Sequence, residues 1–214
     1  MRRSAVFAAL LLFTQVLGTP AQNLRTLHPV DEAAQNPDFL AFKMRLQDII
    51  AKRDTAALLE VVHPDIKIGF GGDHGAAAFQ EEWKPREPGS TVWKELAEVL
   101  RLGGTFDGPT LFTTPYTFSR WPNGIDAFEF SAVTGSSVRI RNAPSLNAPV
   151  VTTVSYAILE LVFEDKPVEG WTAVKLDGKT AYLDSRYIRS PIDYRARFEY
   201  SEGRWRMVMF LAGD

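Results

Sequence analysis

The chain has no cysteine and only three histidines in 214 residues. Without a thiol there is no disulfide, no thiolate metal site and no cysteine nucleophile. Also missing are the phosphate-loop glycine pattern with its Lys and Ser or Thr, the HExxH ligand spacing and the GxSxG elbow. The residue order therefore gives no support to a nucleotide loop, a zinc-peptidase helix or a serine-hydrolase nucleophile. Neither sign of charge dominates: 24 Lys and Arg stand against 26 Asp and Glu, with no basic run. A net charge of −2 lacks the electrostatic footprint of a nucleic-acid binder.

Only one hydrophobic run is long, and it comes first. Arg2 and Arg3 precede an apolar run at 5–12, extended by Phe13, Val16 and Leu17, and the small residues Gly18, Thr19 and Ala21 follow. This is the layout of a secretory signal peptide, with cleavage expected after Ala21 or, next best, after Gly18. The run falls short of the ~20 residues a bilayer span needs. No cysteine follows it to carry a lipid, so the expectation is a periplasmic or secreted chain without a stable membrane anchor. Loss of Arg2 and Arg3 with a leader that holds no acid takes the net charge from −2 to −4.

The whole chain is 45% hydrophobic, and with the leader set aside it is still long enough for two modest domains. Residues 22–37 read as a surface linker. Asp38 opens a helix in which Phe39, Phe42, Leu46, Ile49 and Ile50 share one face. Asp54 caps a short second helix, and Pro64 stops it. Ile66, Ile68 and Phe70 then alternate as a strand that leaves through a glycine turn. His63, Asp65, Asp73 and His74 cluster there and could hold a metal, but without tight ligand spacing the reading is a turn with Asp73 as a helix cap, and no metal or cofactor is expected. A third helix ends at Trp83, and Ser90 caps a fourth carrying Trp93, Leu96, Val99 and Leu100, closed by Gly103 and Gly104. The stretch 105–123 has little periodicity and is expected to wrap the helices. At the other end, Tyr194, Ala196, Phe198 and Tyr200 face one way on a strand, and Trp205, Met207, Met209 and Leu211 do so on its return strand. A lone hairpin is marginal in water. It is therefore expected to complete the domain begun by 38–130.

Between those halves, 131–190 shows short apolar alternations that stop at Gly, Pro, Asn or Asp, as in a small antiparallel barrel. Val138 and Ile140 share a face, the two-proline segment 142–149 is a loop, and Asp177-Gly178 is a tight turn of type I′. The pieces Val138-Arg139-Ile140-Arg141-Asn142-Ala143-Pro144-Ser145, Pro149-Val150-Val151, Gly170-Trp171-Thr172-Ala173-Val174 and Gly178-Lys179-Thr180-Ala181-Tyr182-Leu183, followed by Ser185-Arg186-Tyr187-Ile188, occur in this order. In that order they resemble the bacterial SH3 domain, SH3b. Ala157 and Ala181 depart from it, standing where the family usually has glycine. The first helices resemble more distantly the cone-shaped NTF2-like fold. The expected class is α+β: an N-terminal helical/α+β domain at 38–130 completed by a C-terminal hairpin at 191–214, with an SH3-like barrel at 131–190 inserted.

The resemblance implies a peptide groove between two loops. By motif position Trp171 opens a strand at it and Tyr187 sits in the final helical turn, with Asn142 in the first loop and Tyr182 and Tyr156 as rim residues. Each aromatic could instead complete a small core. In an exported chain the family's usual ligands are cell-wall peptide or an envelope protein, which makes a noncatalytic binding module the leading reading. Two alternatives stand beside it. One is an envelope hydrolase using Asp73 or Glu81 with His74, which requires those groups to converge; Glu81 and Glu82 are adjacent and point about 100° apart on a helix. The other is a structural adaptor without a small ligand.

Overall fold

A computed structural model describes residues 24–72 and 74–213. The expected leader and Asp73 lie outside them.

Helix α1 (Pro37–Lys52) begins one residue earlier than Asp38, because Asn36 caps it. The Asn36 side chain accepts from the N–H of Asp38 at 3.1 Å and of Phe39 at 3.0 Å, and Pro37 at the first position has no N–H to satisfy. Asp54 caps α2 (Thr55–Val61) through the N–H of Ala57 at 3.1 Å. The chain passes straight into β1 (Val62–Lys67), several residues ahead of the expected Ile66 to Phe70 alternation. Pro64 is tolerated inside β1 because this strand is at a sheet edge, where one side of the backbone needs no donor. Helices α3 (Ala76–Trp83) and α4 (Val92–Arg101) follow. Ser90 does not cap α4; its hydroxyl donates to the Trp83 carbonyl at 2.6 Å and ties the end of α3 to the loop. The stretch that lacked periodicity contains β2 (Thr105–Phe106), β3 (Leu111–Thr114) and the short helix α5 (Tyr116–Ser119).

Next come β4 (Phe130–Val133), β5 (Val138–Arg141), β6 (Val150–Val154), β7 (Ile158–Leu161), β8 (Trp171–Leu176), β9 (Lys179–Asp184) and β10 (Ile188–Arg189). A 3-10 turn (Ser185–Tyr187) separates the last two. The chain ends in β11 (Arg195–Ser201) and β12 (Arg204–Leu211).

The molecule is α+β with two sheets. The first has the order β1-β12-β11-β3-β2, parallel only at β1–β12, so the final hairpin sits between strands that precede the second sheet in the chain. Its core is aromatic. The Phe39 ring lies 4.2 Å from Phe112, 4.8 Å from Trp205 and 5.4 Å from Phe106. Trp83 and Trp93 belong to the same buried cluster. The hairpin departs from strict alternation. Arg197 pairs with Met209 and Phe198 with Met207, which leaves Val208 as an extra residue. This bulge turns the strand over, so Phe210 enters the core in place of Met209.

The second sheet has the order β10-β4-β7-β8-β9-β5-β6. Val138, Ile140, Val174, Leu176 and Leu183 fill its buried side. Leu176 pairs with Lys179 across a two-residue turn in which Asp177 and Gly178 both take positive φ, as type I′ requires. Closure into a barrel is not seen: among the described residues no ladder joins β10 to β6. Strand β10 is two residues long and pairs with β4 alone, while Val150 and Val151 at the other edge stay exposed.

The segment read as a linker bridges both sheets. Leu27 donates its N–H to the Tyr156 carbonyl at 2.7 Å, and the Arg25 carbonyl accepts from Ile158 at 2.8 Å. Further on, the Glu32 carboxylate accepts from the Phe106 N–H at 2.8 Å, and Asp31 pairs with the buried Lys43. Leu27, Leu102, Tyr116, Ala132 and Ile158 form a separate buried cluster joining the two layers.

Candidate binding groove

Strand pairing builds the site. Trp171 stands directly across the β8–β9 ladder from Asp184, so their side chains share a face. Asp184 then caps the 3-10 turn by accepting from the Arg186 N–H at 3.0 Å, and the turn delivers Tyr187. The Arg186 guanidinium folds back onto the same carboxylate, with Nε to Oδ1 at 2.9 Å and Nη2 to Oδ2 at 2.6 Å. Those hydrogen bonds hold the Asp184 carboxyl below its ordinary range.

Trp171 and Tyr187 line one open groove of about 320 Å³, together with Leu146, Arg139, Arg141 and Arg186. Trp171 is half-buried and Tyr187 is 44% exposed, so both rings present surface beyond what the core uses. Leu146, at the tip of the 142–149 loop, is 70% exposed beside them.

The other three proposed ligand residues do not line this groove. The Tyr182 hydroxyl donates to Glu164 at 2.8 Å, which pushes the phenol up. Tyr156 takes the left-handed conformation at φ 54, and its ring lies 5.3 Å from His28 in the bridging segment. Asn142 is exposed and holds its loop through a backbone bond to the Pro149 carbonyl at 3.2 Å. Comparison with protein-family models and with curated proteins gives no match.

Residue order alone did not single out the charged lining. Its signal was nonetheless present: Arg139 and Arg141 alternate with the buried Val138 and Ile140, and a pleated strand sends the two sets to opposite faces.

Asp73 lies outside the described residues, and among those described the acid and base groups considered for a hydrolase make no contact with one another. His74 contacts the Gly72 carbonyl at 2.6 Å, and His63 accepts from the Asp65 N–H at 3.0 Å. Both are contacts within a few residues. Glu81 and Glu82 are exposed on α3. Among the described residues no group of three His, Asp or Glu is placed to hold a metal ion. No helix among them is long and apolar enough to cross a membrane.

Proposed function

We propose that this chain is an exported, noncatalytic binding protein in which 131–190 acts as an SH3b-type barrel gripping cell-wall peptide or a protein partner at the envelope. The observation that supports it most is the shared groove of Trp171 and Tyr187, open to solvent and flanked by Leu146. Two rigid aromatic faces with polar tips offer contact area at low entropic cost, which suits an extended peptide. Co-sedimentation with purified peptidoglycan tests the reading. The full chain is expected to be retained, and Trp171→Ala to be lost while its circular dichroism is unchanged. Wild-type protein left in solution with peptidoglycan and with soluble stem peptides overturns the cell-wall assignment. Unchanged retention of Trp171→Ala overturns the groove as the site.

A different observation favours an adaptor role in which the module also serves as a fixed part of its host. The cluster of Leu27, Leu102, Tyr116, Ala132 and Ile158 spans both layers. Hydrogen exchange that shows the second sheet opening independently of the first would remove that role.

A further inference from the structure

We infer that the Trp171–Tyr187 groove selects a peptide bearing a free carboxylate, such as an anionic stem peptide of the cell wall, with Arg139 and Arg141 as the carboxylate-binding pair. This rests on the binding-module reading above and names what the groove takes.

Three arginines and one acid line the groove, on a chain whose overall charge is −2. The positive charge is therefore concentrated here against the sign of the whole molecule. Arg186 is engaged by Asp184, and those two charges offset each other. Arg139 and Arg141 remain. They stand two residues apart on β5, on the side of the pleat opposite the buried Val138 and Ile140. Arg139 is exposed and has no ion-pair partner among the described residues. Arg141 is only 9% exposed, and its Nη1 donates to the Ala148 carbonyl at 2.6 Å. A guanidinium carries five N–H donors, and no carboxylate among the described residues pairs with this one.

A nearly buried cation without a countercharge costs free energy, which a bound anion offsets. Guanidinium groups also match carboxylates through paired, charge-assisted hydrogen bonds. The apolar surfaces of Trp171, Tyr187 and Leu146 lie in the same groove. Together they fit a carboxylate next to a small aliphatic residue. A neutral glycan face would use the aromatic rings but leave the arginines unanswered.

The test compares native peptidoglycan, stripped of attached phosphate polymers, with the same material after chemical amidation of its carboxylates. Each is titrated with the full-length wild type, Arg139→Glu, Arg139→Gln and Trp171→Ala. Amidation is expected to weaken wild-type binding about tenfold or more, the scale of losing charge-assisted hydrogen bonds. Arg139→Glu is expected to weaken binding to native material by a similar factor while changing binding to amidated material little, with Arg139→Gln intermediate. Equal affinity for the two materials overturns the carboxylate assignment, and if Trp171→Ala still abolishes binding the groove reading survives it. Absence of wild-type binding to either material overturns both. Binding restored only when phosphate polymers are left in place also overturns the carboxylate assignment and points to a phosphate ligand.

Discussion

A methyl group on Gly104 would lie 2.2 Å from the carbonyl oxygen of Thr113. It would also meet Phe112 at 2.9 Å. On Gly103, which takes φ +68, a methyl would meet the Val30 carbonyl at 2.6 Å. The glycine pair at the end of α4 thus does more than terminate a helix; it lets β3 and the bridging segment approach the backbone closely. Gly104→Ala is expected to destabilise the protein by about 3 kcal/mol, the upper range for overpacking a site that cannot give way. Gly89→Ala, with open space around it and no positive φ, should stay within about 0.5 kcal/mol. Urea unfolding measures both, and equal midpoints for the two variants would refute the close-approach account.

Leu27 sits at 8% exposure in the cluster between the two layers, and its N–H is bound to the Tyr156 carbonyl. Leu27→Ala keeps that backbone bond and removes the side chain from the cluster. The expected cost is about 2–3 kcal/mol, the lower end for a buried leucine because the strap around it is partly exposed. A change below about 0.5 kcal/mol would mean that 24–36 lies on the surface without holding the layers together.

Local pattern carried much of this fold. Phe39, Leu46, Ile49 and Ile50 follow helical spacing and are buried, and the Asp177-Gly178 turn sits where its residues demand positive φ. Of the groove lining, Trp171 and Tyr187 were legible, because their positions in the motif placed them. It was not legible for Tyr182 and Tyr156, whose partners Glu164 and His28 come from distant segments that no local rule brings near. The bridging role of 24–36 was hidden for the same kind of reason. Its residues are mostly polar, and only single positions such as Leu27 and Ala33 are buried. Sheet closure was hidden as well, since alternation specifies strands and leaves open whether the edges meet.

The bulge at Val208 is open to direct measurement. Plain alternation from Trp205 places Met209 inward, whereas the observed register buries Phe210 at 0% exposure, with its ring 4.8 Å from Trp83. Phe210→Ala is expected to cost about 4 kcal/mol, and Met209→Ala, at a half-buried position, about 1 kcal/mol. The reverse ranking in thermal or denaturant unfolding would show that β12 keeps an unbroken pleat.

Tyr182→Phe removes a hydroxyl that reaches Glu164 and lines no part of the groove. Stability is expected to fall by about 1 kcal/mol or less, as for a single hydrogen bond, and peptidoglycan retention to match the wild type. A large loss of retention by this variant would move the binding surface away from Trp171 and Tyr187.

Tyr116 provides a test in pH. Its side chain is fully buried within the Leu27 cluster, and its hydroxyl has no hydrogen-bond partner among the described residues. Burial, reinforced by Tyr156 and opposed by Arg101, pushes the phenol up from 10.0 to about 12. Below pH 10 the phenol is protonated in both folded and unfolded chains and adds no pH dependence. Between pH 10 and about 12 the unfolded chain releases this proton while the folded chain keeps it, so stability falls as pH rises through that window. Tyr116→Phe has no such proton and gives up no hydrogen bond. It is therefore expected to match the wild type at pH 7 within about 0.5 kcal/mol, and to lose stability less steeply above pH 10. Urea midpoints at pH 7, 10 and 11 decide it. Parallel wild-type and variant curves across that range would mean that the Tyr116 phenol ionises as readily inside the protein as outside it.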